Sequence, residues 1–271
     1  RTMEIEVEKT SFRNSSPLRK ILELGSIKYD GKLFNLDDII NIHKSACKIH
    51  YDRSTNKYTL LVATKIKPKN PHNYRNEIIS MDPGIRTFMT GISDCEVVKL
   101  GNNVSDKIVP ILRRNNRLKN LFDNGDITEG FYRKKEKRNN LKIIHLVDDM
   151  HWKIIAYLVN NYKTILIGDM TVKGIVNNRT SKLNPMVKTV AYRLKFYEFK
   201  QRLAYKCDAN KVKFMEVDEK YTSKVCSICG TCNDNLGGKK RFKCDACYLN
   251  IDRDVNGARN ILIKSINTGT D

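Results

Sequence analysis

Four cysteines in the C-terminal part of the chain, Cys226, Cys229, Cys244 and Cys247, follow the spacing C-x2-C-x14-C-x2-C. Each pair can wrap a turn around one tetrahedral ion, and four thiolates close the coordination shell. The pattern therefore predicts a structural zinc with no open position for activating water. Cys232 makes a competing C-x2-C with Cys229. Cys226 and Cys229 are the favoured first pair because Gly230 follows them, where a metal knuckle needs positive φ. A redox dithiol is the other chemistry open to such pairs. Beyond the last cysteine the chain reads Asp252-Arg253-Asp254, and a closed zinc site has no use for these carboxylates.

Phosphodiester hydrolysis gives such carboxylates a use. It commonly employs two hard divalent ions about 4 Å apart, one activating water and the other stabilising the leaving oxygen, held by carboxylates from different elements. Asp82, in Ser80-Met81-Asp82-Pro83-Gly84, and Asp252 or Asp254 are candidates for such a set. Each has an ordinary alternative, since Asp before Pro-Gly is a common turn residue and Asp at a helix start a common N-cap.

The elements that must position these groups read as follows. "TMEIEVEKT" and "KYTLLVATKI" (57–66) predict strands before residue 75, and "KPKNPHN" a linker. "NEIISMDPGIRTFMTGIS" reads as a hairpin with Asp82 at its bend. Between Ile108 and Asn160, "IVPILRRNNRLKNLF" and "LKIIHLVDDMHWKIIAYLVNN" carry helical periodicity and are separated by the charged run "RKKEKR" (133–138). "KTILIGDM" has the continuous apolar character of a buried strand, and a polar loop follows it. Asn184-Pro185 supplies an N-cap and first-turn proline for a helix with Val187, Val190, Leu194 and Tyr197 along one face. "KVKFMEV" predicts another strand and "DVNGARNILIKSI" a final helix. This order predicts an α/β fold interrupted by inserts.

Composition narrows the partners. The 271 residues are 40% hydrophobic, enough for a substantial core. Lys and Arg number 50 against 30 Asp and Glu, a net charge of +20, which favours a polyanionic partner. Nucleic acid is preferred over a membrane surface, because no lone basic amphipathic helix, membrane-spanning run or signal peptide is visible. The chain opens without an initiator Met, which points to a natural start further upstream. Cys47, Cys95, Cys207 and Cys232 show no disulfide framework, so metal in a reducing compartment is the reading. His151 and Trp152 read as core or interface residues, with base stacking as the alternative. "RKKEKR" and "GGKKRFK" read as phosphate contacts, with solvated faces as the alternative.

"SMDPGIRTF" (80–88), "YKTILIGDMTVKGI" (162–175), "EKYTSKVCSICG" (219–230) and "FKCDACYLNIDRDVNGARNIL" (242–262) resemble, in order, the motifs of the TnpB-type transposon nucleases, their Fanzor relatives and the type V CRISPR effectors that share their RuvC core. The resemblance implies an RNase H-like RuvC domain with an inserted zinc ribbon, cutting double-stranded DNA matched to a guide RNA. It implies a partial β-barrel wedge domain at 1–75, a nuclease core with helical insert at 76–219, a zinc-ribbon, target-nucleic-acid-binding insert at 220–250, and the C-terminal core segment at 251–271. It also implies that the recognition helices usually inserted in the first of these regions are absent from this chain. Two Mg2+ ions would be held by Asp82, Glu219 and Asp254. Asp254 matches the D-x-N pattern better than Asp252, which stands in reserve. The family's second catalytic residue is usually a Glu at the end of the central strand, where this chain has Gly168. Adjacent Asp169 should face away by strand alternation. Some relatives instead carry a Glu just ahead of the "YTS", which Glu219 matches, with Glu198 and Glu216 as alternatives. Arg259 would approach the scissile phosphate or form a structural ion pair.

The reading is an RNA-guided, Mg-dependent DNA endonuclease, monomeric in its ribonucleoprotein and without membrane contact. Its rivals are an inactive RNA-guided repressor, which Gly168 favours, and a zinc-ribbon DNA-binding factor without RNA. The displaced Glu leans toward a eukaryotic or viral source and a nuclear setting, with the bacterial cytoplasm as the alternative.

Overall fold

The computed structural model describes residue 74, residues 76–169 and 183–268 apart from 235 and 238, and five strands nearer the N-terminus. The chain divides into two compact units, Arg1–Lys67 and Pro68–Asp271. In the first, strands β1 (Thr2–Val7), β4 (Cys47–Asp52) and β5 (Lys57–Val62) form an antiparallel sheet with β4 central, and β2 (Ile27–Tyr29) pairs with β3 (Lys32–Phe34). The linker expected at 67–73 and the polar loop after "KTILIGDM" lie outside the described residues.

The second unit is built on one five-stranded sheet. Strands β6 (Asn76–Pro83), β7 (Thr87–Ser93) and β8 (Val97–Asn102) form an antiparallel meander; β9 (Tyr162–Gly168) and β10 (Lys213–Val217) add in parallel, giving the order β10-β9-β6-β7-β8. Strand alternation divides the sheet's two faces. Ile79 and Met81 of β6 and Ile165 and Ile167 of β9 join the main core beneath the helices, whereas Ile78 of β6 and Leu166 of β9 pack with Val217 and Ile261 in a smaller cluster on the other face. By the same alternation Asp82 and Gly168 share the face of that smaller cluster.

The helical side carries α1 (Val104–Asp123), α2 (Glu129–Asn161), α3 (Pro185–Arg193) and α4 (Phe196–Asn210). In α2 the buried residues Ile143, Val147, His151, Ile154, Ile155, Leu158 and Val159 recur at helical spacing, and each large apolar side chain contributes about 1.5–3 kcal/mol on burial. Two expectations are corrected. The helix break is not at 133–138, which lies inside α2, but at Asn124–Thr128, where Thr128 caps α2 by accepting from the Phe131 amide. Lys and Arg are good helix formers, and Glu129 pairs with Arg133 one turn on, so the charged run extends the helix. The helix expected from Asn184 through Tyr197 is two helices, because Lys195 takes a left-handed conformation at φ 51. Tyr197 is consequently 71% exposed, while Phe196 and Phe199 point into the core. The Asn184 cap is as expected, accepting from the Met186 amide at 2.8 Å.

His151 lies wholly buried, against the rings of Phe88 and Phe199. Its Nε2 is 3.0 Å from the Leu194 carbonyl and its Nδ1 3.2 Å from Arg202 Nη1. Both contacts are satisfied when Nε2 carries the only proton, donating to Leu194 while Nδ1 accepts from Arg202. Burial pushes the imidazole pKa down to about 4, the Leu194 carbonyl opposing this and the Arg202 charge adding to it. Trp152, next in the chain, is 42% exposed, with Arg202 and Lys206 over its ring.

The unfolded chain takes up a proton near pH 6.5 that the folded chain refuses until about 4, so the contribution of His151 is complete above 6.5 and lost as pH falls toward 4. In urea titrations the parent should lose about 2 kcal/mol more than His151→Leu between pH 7.5 and 5, the difference isolating His151 from the carboxylates that titrate in the same range. At pH 7.5 that variant should be less stable by about 1–3 kcal/mol, because the Leu194 carbonyl and Arg202 lose a partner. An acid loss equal in both proteins would contradict this assignment.

Candidate active site and metal centre

The sheet face opposite the main core is covered by α5 (Arg253–Thr268), which follows the short ribbon of β11 (Arg241–Lys243) and β12 (Asn250–Asp252). The helix sits close to β6. The Ser80 hydroxyl donates to the Ala258 carbonyl at 2.6 Å, and a Cβ added at Gly257 would lie 2.9 Å from Asp82 Oδ2. A glycine inside a helix costs about 1 kcal/mol relative to alanine. Here it leaves room for the Asp82 carboxylate, with Asp254 one turn earlier on the same helix.

Glu219 reaches this face from beyond the end of β10. A Cβ at Gly168 would lie 2.8 Å from Glu219 Oε2, so the carboxylate occupies the space into which a side chain at 168 would extend. Strand pairing ends with Met81 opposite Ile167, which sets Asp82 beside Gly168. The three sequence-predicted carboxylates therefore gather at the ends of β6 and β9 and the start of α5.

Their electrostatics follow from that crowding. Burial, then the charges of Asp254 and Glu219, hold the Asp82 carboxyl well above the usual range despite the opposing Arg253. Burial and the charge of Asp169 push Glu219 up to about 7, with Lys200 opposing. Burial and Asp252 raise Asp254, against Arg253, Lys99 and Arg86. All three groups thus resist ionisation, because the protein only partly compensates the negative charge they would carry together, and a bound cation relieves that condition.

The reserve candidates have other duties. Asp252 caps α5, accepting from the Asp254 amide at 2.9 Å, and pairs with Lys99 of β8 at 2.7 Å. Burial raises its pKa, but Lys99 and the capped amides outweigh that and bring it below the ordinary value. Glu216 pairs with Lys200 at 2.5 Å, and Glu198 pairs with Lys195 and Arg202. Arg259 makes no ion pair among the described residues. Asp169, expected to face away, turns its Oδ1 to the Glu219 amide at 3.1 Å.

The sulfurs of Cys226, Cys229, Cys244 and Cys247 lie within 4.8 Å of one another, with Cys226–Cys247 and Cys229–Cys244 each at 3.5 Å. Tetrahedral zinc with bonds of about 2.3 Å needs sulfurs about 3.8 Å apart, so this cluster could hold that ion. Cys232 lies outside it, directed at Asp234. The first knuckle turns through Gly230 at φ 76, as expected, and the second through Tyr248 at φ 59. Asn256 joins the cluster to α5: its amide donates to the Val225 carbonyl at 2.7 Å, and its oxygen accepts from the Ser227 amide at 3.1 Å. Asn260, one turn on, donates to the Thr222 and Val225 carbonyls. The supporting roles of Asn256, Asn260, Lys99 and Asp169 were not anticipated. The one hint was buried-type polar residues spaced four apart within the apolar pattern of a helix.

Comparison with known proteins shows what the chain is similar to. The family model described as Cas12f1-like, TNB domain matches residues 196–261. TnpB-like protein L770 of Acanthamoeba polyphaga mimivirus is 33% identical over 85% of this chain and 45% of its own length. The CRISPR-associated endodeoxyribonuclease Cas12f1 of Sulfoacidibacillus thermotolerans is 24% identical over 92% of this chain and 60% of its own. The fold is similar to that in the cryo-EM structure of a Cas12f1-sgRNA-target DNA complex, with a TM-score of 0.50 and 16% identity over 96% of this chain and 66% of that one. The chain spans about half the length of the curated relatives it matches.

Two outcomes are expected. Gly257→Ala should lower the urea midpoint, because the crowding at Asp82 reverses the gain of about 1 kcal/mol that alanine brings elsewhere in a helix. A raised midpoint would show that Asp82 is not held against the helix. By elemental analysis, Cys232→Ser should retain its metal and Cys244→Ser lose it; equal loss would place Cys232 in the cluster.

Proposed function

The chain belongs to the TnpB/Cas12-type family, and on that premise we propose that it carries the nuclease part of an RNA-guided DNA endonuclease. The observation that carries the proposal is the Glu219 carboxylate lying over Gly168, on the sheet face shared with Asp82 and Asp254. The sheet order, three antiparallel strands continued by two parallel ones, supports an RNase H-like RuvC core at 76–219 with its last segment at 251–271. The cysteine cluster supports a zinc ribbon at 220–250, and residues 1–75 are read as part of a wedge domain.

Asp82, Glu219 and Asp254 would hold the two Mg2+ ions. The residues fit, since their charge is undercompensated and the two glycines make room for two of the carboxylates, Glu219 at Gly168 and Asp82 at Gly257. Bound there, the ions supply activation of water and stabilisation of the leaving oxygen. The protein's own part is positional. Asp252 and Lys99 fix the start of α5, and Arg86 and Arg253 bring positive charge beside the carboxylates, suited to a phosphate. Further away, Lys134, Lys137, Arg138, Lys142 and His145 of α2 line one groove, suited to the backbone of guide or target. Base pairing with the guide would supply specificity. Gly168 taken alone favours an inactive repressor, but the position of Glu219 favours the active reading.

The test uses the full-length protein with its copurifying RNA, a matched DNA duplex and Mg2+. Cleavage is expected, and Asp82→Ala and Asp254→Ala should bind DNA as the parent does while cleaving on the order of a thousandfold more slowly. Binding without cleavage by the parent would support the repressor, and DNA binding without any copurifying RNA would support the zinc-ribbon factor. Affinity for matched DNA should fall by about a thousandfold between 50 and 200 mM salt if phosphate contacts dominate.

A further inference from the structure

A glutamate borrowed from a neighbouring strand has a problem that a glutamate on the central strand does not. Its backbone lies beyond the end of β10, so its carboxylate reaches Gly168 only if the main chain at 219 is held still. Three groups hold it. Thr222 bonds the Glu219 carbonyl through its amide at 3.0 Å and its hydroxyl at 2.8 Å. From α5, Lys264 bonds the carbonyls of Asp218 and Lys220 at 3.1 and 2.7 Å. The third is Asp169, which among the described residues is the one whose side chain bonds Glu219 from the end of the strand whose missing side chain it replaces.

Asp169 makes that connection twice. Its amide donates to the Val217 carbonyl at 3.0 Å, extending the β9–β10 ladder by one step, and its Oδ1 accepts from the Glu219 amide at 3.1 Å. The residue thereby brackets Asp218 and sets where the chain leaves β10. A carboxylate in this place carries a penalty, because its charge lies beside that of Glu219. Among the described residues, no other side chain bonds the Glu219 amide.

We infer that Asp169 is the positioning residue for Glu219, acting through its side-chain bond to the Glu219 amide and not as a ligand or base. This rests on the reading of Asp82, Glu219 and Asp254 as ligands of divalent ions. Glycine at 168, aspartate at 169 and glutamate at 219 then form one unit: the first leaves the space, the third fills it, and the second registers the third over the first.

The test is Mn2+ titration of the full-length protein, zinc retained and nucleic acid removed, followed by electron paramagnetic resonance, with amide hydrogen exchange read on the peptide containing Glu219. Asp169→Ala should weaken Mn2+ binding by about tenfold or more, as loss of an orienting partner does, and should speed exchange at Glu219. Asp169→Asn keeps an acceptor oxygen without the charge, and should stay within about threefold of the parent in affinity and retain the protection, well short of that loss. Asp169→Ser, whose oxygen falls short of the amide, gives the same reading as alanine should the alanine variant not fold. If the alanine variant matches the parent, or the asparagine variant fails as badly as alanine, the positioning role is overturned. Asp82→Ala separates the premises. Lost affinity there with none lost in Asp169→Ala overturns positioning alone, whereas undiminished affinity in Asp82→Ala overturns the ligand reading and this inference with it.

Discussion

Crowding of like charge is the constraint around which the larger unit is arranged. Two carboxylates about 4 Å apart repel by about 4 kcal/mol at the effective dielectric near a protein surface, and partial burial adds to that. Asp82, Glu219 and Asp254, with Asp252 and Asp169 close by, would force apart elements that were free to move. They are not free. Ser80 ties β6 to α5, Lys99 ties β8 to the start of α5, and Lys264 ties α5 to the chain on either side of Glu219. The stability that offsets the repulsion lies on the opposite face of the sheet, where Phe88, Leu158, Phe196 and Phe199 are fully or almost fully buried. A dry core on one face and an undercompensated acidic patch on the other is an arrangement that suits cation binding.

The cysteine cluster belongs to the same arrangement. Its sulfurs are linked to the acidic patch through α5, because Asn256 grips the first knuckle from the helix that bears Asp254, and Asn260 repeats the grip one turn later. Fixing the knuckle therefore fixes the helix start. That is why the cysteine-bearing loop runs directly into a pair of carboxylates: one of them caps the helix, and the other is carried on it.

Much of this could be read from residue types. Cysteine spacing narrowed the cluster to five sulfurs, and Gly230, which permits the positive φ of a knuckle, picked Cys226 over Cys232. The strands around Asp82 and Gly168 were visible because buried strands are continuously apolar. The choice of Asp254 over Asp252, and of Glu219 over Glu198 and Glu216, came from resemblance to a family, and the ion pairs of Asp252, Glu198 and Glu216 supply physical reasons for it. Other features were not readable. The charged run at 133–138 looked like an interruption, although nothing in a lysine or arginine side chain stops a helix. Tyr197 looked buried because the left-handed turn at Lys195, set by tertiary packing, has no glycine to announce it. The bond from Asp169 to Glu219 joins residues far apart in the chain, which no local pattern records.

If the Glu219 carboxylate stands in for a side chain at 168, moving the carboxylate between the two positions should move the activity with it. Cleavage of a matched target at saturating Mg2+ would be measured for Glu219→Ala and for the double variant Gly168→Glu/Glu219→Ala, in which the oxygen crowding position 168 has been removed. The single variant should be inactive and the double variant should recover cleavage, because either backbone position can aim a carboxylate at the same place. Full cleavage by Glu219→Ala alone would rule out that substitution of one carboxylate for the other.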